Sequence, residues 1–107
     1  MTTKAKPKLK LKDWPLDIMG KRFTVRWAKL EKDDYGRCES GKCLISVNPD
    51  HHGEQQRDAL LHEALHAIDH EMYSDMREKQ IRRIATGLLH FMRSNPEVVR
   101  WLMEPDD

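Results

Sequence analysis

The pentapeptide His62-Glu63-Ala64-Leu65-His66 constrains this chain more than any other feature of its sequence. It lies within an uninterrupted helical pattern, and residues four apart on a helix lie one turn apart on the same face. Both imidazoles can therefore bind one metal ion, and the carboxylate beside the first can reach a water molecule held by that ion. The motif predicts a metal-binding helix with His62 and His66 as ligands and Glu63 as general base.

The helix around this motif is predicted to start near Gly53 or Glu54 and to have an apolar face and a polar face. At about 100° per residue, the predicted core arc comprises Leu60, Leu61, Ala64, Leu65, Ala67 and Ile68. The opposite arc comprises His62, His66, Asp69 and Tyr73, with Glu63 and His70 at its margin. The alternative is a solvated helix face that is rich in histidine by chance, but that alternative gives no reason for Glu63.

A third protein ligand is expected, because catalytic zinc sites use three and leave one position open. Asp69 and Met72 stand where the best-known downstream pattern has a glycine and a histidine, so the ligand is predicted on the next helix. That helix is predicted from about Asp75 to His90. Its apolar stripe comprises Ile81, Ile84, Ala85, Leu88 and Phe91 or Met92.

Glu78 is the predicted third ligand, because it extends this stripe backward by one turn. A carboxylate on an apolar face requires a positive partner, which a buried zinc ion would provide. The alternative for Glu78 is an i,i+4 pair with Arg82 on an exposed surface. Glu71 and Asp75 are weaker candidates, and His70 lies too far round the helix from His62.

The size and charge of the chain limit its class. Its 107 residues predict one domain over 13–103, preceded by a flexible basic arm (1–12) and followed by an acidic tail (104–107). Charged residues make up 35% of the chain, but the net charge is only +1, so no nucleic-acid partner is expected. Without an apolar run of membrane-spanning length or a signal-peptide pattern, a cytoplasmic protein without membrane contact is predicted.

The remaining pattern predicts an α+β fold, in which a small antiparallel sheet packs on two main helices. An alternating strand is predicted from Lys21 to Lys29, and a second hairpin from Tyr35–Cys38 and Cys43–Val47. Ser94-Asn95-Pro96-Glu97 predicts the start of a short C-terminal helix.

The two cysteines, Cys38 and Cys43, flank the four-residue turn of the second predicted hairpin, which would place them opposite each other. We expect two reduced, half-buried thiols, because no second cysteine pair lies nearby. A redox-linked disulfide and half of a zinc site are the alternatives.

The chain resembles the small zincin-like proteins of the ImmA/IrrE type, which are common in phages and prophages and close in size to the minimal gluzincins. The resemblance covers about residues 18–103. It is carried by Gly36, Leu44 to Val47, Gln55 or Gln56, Leu60 to Asp69, and the helix containing Glu78, Gly87 and Leu88. The interval from His66 to Glu78 is shorter than in the larger relatives.

The resemblance implies a zinc-dependent peptidase with His62, His66 and a glutamate of the following helix as ligands, and with Glu63 as base. It also implies that the strand Cys43–Val47 borders the cleft and could pair with an extended peptide. We expect Zn²⁺ as cofactor and a peptide or protein as substrate; the oligomeric state is left open.

Two other functions are compatible with the residues. The first is a catalytically silent zinc-binding module that contacts a partner protein, such as a phage or host regulatory factor. The second is a metal-free interaction module. For an enzyme, the candidate oxyanion stabilisers are His70, Tyr73, His51 and His52, and Asp69 either orients a ligand imidazole or is simply solvated.

Overall fold

The computed structural model describes residues 12–31 and 34–105, so most of the predicted basic arm and the last two residues of the acidic tail lie outside the described part. The strands are β1 (Trp14–Ile18), β2 (Lys21–Trp27), β3 (Gly36–Glu39) and β4 (Leu44–Val47). The helices are α1 (Gly53–Glu71), α2 (Glu78–Ser94) and α3 (Pro96–Met103). The α+β class and the short C-terminal helix are confirmed.

The four strands form one mixed sheet in the order β1-β2-β4-β3, rather than the wholly antiparallel sheet predicted. The β1–β2 and β3–β4 pairs are antiparallel, but β4 lies beside β2 and runs parallel to it. The difference arises because the chain first forms β3 at the sheet edge and then returns as β4, which inserts between β2 and β3. Met19 and Gly20, both at positive φ, form the tight turn between β1 and β2.

The core lies between the sheet and α1. Alternate strand residues point to the helix, as expected for a sheet with one covered face. The buried apolar side chains of this core are Ile18, Phe23, Val25, Ile45, Val47, Ala59 and Ala67.

Helix α1 is enclosed on two sides, because it packs on the sheet and also on α2. Its buried residues are Gln56, Ala59, Glu63 and Ala67, which recur every three or four positions. The predicted division into one apolar and one polar arc is therefore wrong for Glu63, which lies on a buried face. One-sided helical periodicity does not anticipate a helix that is covered by two different layers.

Helix α2 begins at Glu78 rather than near Asp75, and it extends to Ser94. The Gln80 side chain accepts a hydrogen bond from the Arg77 backbone N–H (2.8 Å), which satisfies one free donor of the first turn. The predicted starts of α1 and α3 are confirmed at Gly53 and Pro96.

Cys38 and Cys43 are both free and half buried, as expected for reduced thiols. They are not cross-strand partners, however, because Cys38 pairs with Ile45 and Glu39 pairs with Leu44. Cys43 instead ends the short turn at positive φ. No helix within the described residues is long and apolar enough to cross a membrane.

Candidate metal centre

Three side chains converge where the first residue of α2 meets the middle and C-terminal half of α1. Glu78 Oε2 lies 2.9 Å from His62 Nε2, and Glu78 Oε1 lies 2.7 Å from His66 Nε2. One potential ligand atom from each residue falls within 4.8 Å of the others. The structure thus brings together the three residues predicted as ligands, and this group could hold a metal ion.

The convergence follows from a polar seam along the two antiparallel helices. Near the start of α1, Glu54 pairs with Arg93 at the end of α2, and Asp58 accepts a hydrogen bond from Thr86 (3.3 Å). His62 and His66 continue this row by one and two turns, since residues four apart share a face. Glu78, as the first residue of α2, therefore lies opposite both histidines.

The donor set fits a divalent transition metal ion. Two imidazole nitrogens and a carboxylate are a ligand combination found in catalytic zinc sites. Both Nε2 atoms point to the same carboxylate, so the donors already converge. Glu78 also lies 3.6 Å from Arg82, the i,i+4 pair expected of a surface residue, and its side chain is 53% exposed rather than on a buried apolar face.

The two weaker candidates for third ligand lie elsewhere. Glu71 pairs with Lys21 of β2 at 3.3 Å, which directs its carboxylate away from the histidines. Asp75 is exposed, and neither residue belongs to the metal-competent group found among the described residues.

Glu63 lies beside the histidines but is turned toward the sheet. Its residue surface is only 8% exposed, and this burial raises the pKa of Glu63 to about 7. The carboxylates of Glu78 and Asp34 also raise this pKa, whereas His66 lowers it. A largely buried carboxyl group that lines a cavity is well suited to exchange a proton with a molecule bound there.

Gly36 of β3 makes room for Glu63. A Cβ atom at this position would lie 3.0 Å from Glu63 Cγ and 3.2 Å from the Ser46 carbonyl oxygen. Only a residue without a side chain therefore allows the strand and the helix to approach this closely. The sequence around Gly36 does not indicate that this residue leaves space for Glu63, because the contact depends on how β3 packs on α1.

The strand that borders this site is β3, which corrects the implied role of Cys43–Val47. Strand β4 is hydrogen-bonded to β2 on one side and to β3 on the other, so it has no free edge for a peptide. Strand β3 is paired on one side only among the described strands, and Gly36, Arg37 and Cys38 line the cavity next to the histidines.

The cavity has a volume of about 810 Å³ and extends past both histidines and Glu63. A second cavity of about 310 Å³ shares His62, Glu63 and Glu78 with it and continues toward Asp58. The three candidate ligands and Glu63 thus lie in a cleft between the β3 edge and the start of α2.

Of the four candidate oxyanion stabilisers, the structure places two in the larger cavity, namely His70 and Tyr73. Tyr73 is 94% exposed and has a φ of +54°, a backbone conformation that is unusual for an aromatic residue. His51 instead packs on Tyr35, with ring centroids 4.1 Å apart, and His52 is the residue that precedes α1.

Asp69 closes the connection between α1 and α2 instead of orienting an imidazole. Its Oδ1 atom accepts hydrogen bonds from the Ser74 hydroxyl (2.6 Å) and from the Met76 backbone N–H (3.1 Å). Because this connection leads directly into α2, Asp69 helps to set where Glu78 stands relative to His66. Neither predicted role of Asp69 anticipated these contacts, which have no established spacing signature.

Comparisons of the chain with models of protein families, with curated proteins and with solved structures found no match in any of the three.

Proposed function

We propose that this protein is a zinc-dependent metallopeptidase whose zinc ligands are His62, His66 and Glu78. The observation that carries the proposal is the placement of a buried carboxylate, Glu63, beside a convergent group of two imidazoles and a carboxylate. Neither feature alone indicates hydrolysis, but general-base catalysis at a zinc site requires both.

When bound, zinc polarises a carbonyl oxygen and lowers the pKa of a water molecule toward about 7. Glu63 takes the proton from the attacking water and delivers it to the leaving amine. Its contact with the backbone at Gly36 restricts where the carboxyl group can move. Tyr73 and His70 line the same cavity and are the residues available to donate a hydrogen bond to the oxyanion.

An extended peptide is the substrate that suits this cleft. Among the described strands β3 is paired on one side only, so its other side offers backbone groups to a peptide in β-strand form, and the cavity runs along that edge past Glu63. A peptide that adds to β3 would therefore present a backbone carbonyl near the histidines.

Substitution of Glu63→Gln tests the proposal. The variant keeps the size of the side chain but cannot accept the proton, so we expect zinc binding to persist and peptide cleavage to fall at least about 100-fold. Cleavage is followed by mass spectrometry on a mixture of unstructured peptides, with Glu97→Gln on α3 as a matched control. Equal cleavage by wild type and Glu63→Gln would contradict the proposed role of Glu63.

Zinc binding without any cleavage by the wild-type protein would favour the alternative function. In that case the same site would serve a catalytically silent module that binds a partner protein. Both functions use the same three zinc ligands, but only the peptidase requires Glu63 as a general base.

A further inference from the structure

The two C-terminal helices carry apolar side chains that no described element covers. Helix α2 exposes Ile84, Leu88 and Phe91, and α3 exposes Val98, Trp101 and Leu102. We call these six residues the C-terminal apolar surface. We propose that this surface binds a second copy of the chain and forms a symmetric dimer.

The exposed residues of α2 form a separate stripe, distinct from the residues that pack on α1. Ile84, Leu88 and Phe91 have the spacing i, i+4, i+7 and fall within about 60° of one another around the helix. Ile81 and Ala85, by contrast, are 0% and 1% exposed. The apolar face of α2 is therefore wider than its contact with α1 requires.

The second stripe begins where the first one ends. The Phe91 carbonyl accepts hydrogen bonds from both the backbone N–H and the side-chain amide of Asn95, the residue that precedes α3. On α3, Val98, Trp101 and Leu102 have the spacing i, i+3, i+4, and each is between 45% and 68% exposed. Only Asn95 separates α2 from α3, so the two stripes are adjacent along the chain.

The area of the surface matches what a dimer needs. With about 200 Å² for a fully exposed large apolar side chain, the exposed fractions correspond to roughly 600 Å². A standard interface buries about 800 Å² per partner, of which about 65% is apolar in homodimers. Roughly 600 Å² is also at the upper limit of the apolar patches that monomers expose.

The charge pattern favours an identical partner. Every charged residue of α2 lies at least about 80° around the helix from the stripe, whose neighbours Gln80 and Gly87 are uncharged. In a two-fold interface each surface meets itself, so the uncharged α2 stripe avoids like-charge repulsion, although α3 carries Glu97 one turn before Trp101. An oppositely charged partner protein would have no complementary group to bind on this stripe.

The proposed dimer leaves the candidate metal centre open. Glu78 lies about 120° around α2 from Ile84, on the side that faces α1. Dimer formation therefore does not depend on the proposed function and can be tested without it.

Sedimentation equilibrium of the full chain tests the proposal. We expect the wild type to have twice the 12.7 kDa chain mass. Leu88→Glu and, separately, Trp101→Glu should shift it to the monomer, since each places a charge in the interface. His90→Glu adds the same charge to an exposed position of α2 away from the stripe and should remain dimeric. Far-UV circular dichroism checks that all variants are folded.

A monomeric wild type, or a dimer that persists in both surface variants, would overturn the proposal. A photo-crosslinking residue in place of Phe91 identifies the occupant directly. A crosslink to a second chain supports the dimer. A crosslink to residues 1–11 of the same chain, or to no protein, contradicts it.

Discussion

At the scale of single residues, the contact between Gly36 and Glu63 couples the sheet to the candidate chemistry. The Glu63 side chain lies close to Gly36 of β3, and Glu63 is buried although it has a carboxyl group. Burial of such a group costs free energy unless a charged or polar partner compensates it. We therefore expect the free energy of unfolding to change when a charged or polar group binds in the cleft beside Glu63.

Substitution of Gly36→Ala should destabilise the fold by about 1–3 kcal/mol, because the added methyl group meets the Ser46 carbonyl and the Glu63 side chain. Urea unfolding measures this change. Gly41→Ala is the matched control, since a Cβ there has no atom within 4 Å, and its effect should stay within about 0.5 kcal/mol. Equal effects at both positions would contradict the close approach of β3 and α1.

The pH dependence of Cys38 alkylation tests whether this residue of β3 is buried. Burial raises the pKa of the Cys38 thiol, so less thiolate is present at neutral pH than for an exposed cysteine. In a Cys43→Ser background, iodoacetamide should modify Cys38 slowly at neutral pH, and the rate should still be rising above pH 9. A rate that levels off below pH 8 would show that Cys38 is not in a buried environment.

At the scale of helices and strands, Asp69 connects the two helices that carry the candidate ligands. Asp69→Ala removes the acceptor for Ser74 and Met76, so we expect a loss of about 1–3 kcal/mol in stability. Zinc affinity should fall at least about 10-fold, although Asp69 is not a ligand, because α2 is less firmly placed. Isothermal titration calorimetry measures the affinity.

Two variants separate this positioning role from a general effect of charge. Asp69→Asn keeps an oxygen acceptor and should recover most of the affinity. Asp75→Asn removes a charge from the same connection at an exposed residue and should bind zinc like the wild type. A loss of affinity in Asp75→Asn equal to that in Asp69→Ala would contradict the assignment.

The helical elements were more predictable than the sheet. The pairing of His62 with His66 is a local property of helical spacing, and the approach of Glu78 follows from one antiparallel helix pair. The insertion of β4 between β2 and β3 depends on strand order, which local periodicity does not contain. For the same reason the edge position of β3 among the described strands could not be assigned from the sequence.

The burial of Glu63 was unpredictable for a related reason. A helix that packs on one layer shows one apolar arc, but α1 contacts the sheet and α2 at once. The residues on both sides are then partly buried whatever their polarity. Gln56 and Ala59, one polar and one apolar, share the buried face with Glu63.

At the scale of the whole molecule, the candidate metal centre lies between α1, which packs on the sheet, and α2, which packs on α1. The sheet and α1 share the main core, whereas α2 joins α1 through Ile81, Ala85 and the polar seam. A metal ion bound by His62, His66 and Glu78 would tie α2 to α1 at one end of this seam. Ligand binding to the folded state alone also raises its stability, by about 2.7 kcal/mol at 100 times the dissociation constant.

Zinc stoichiometry and affinity test the central claim most directly. Mass spectrometry of untagged protein and calorimetry of metal-free protein should show about one zinc ion per chain in the wild type, as expected for a single three-ligand site. His66→Ala and Glu78→Gln should each lose it, while Glu71→Gln should keep it. A wild type that binds no zinc, or equal binding by Glu78→Gln and Glu71→Gln, would contradict the metal centre described here.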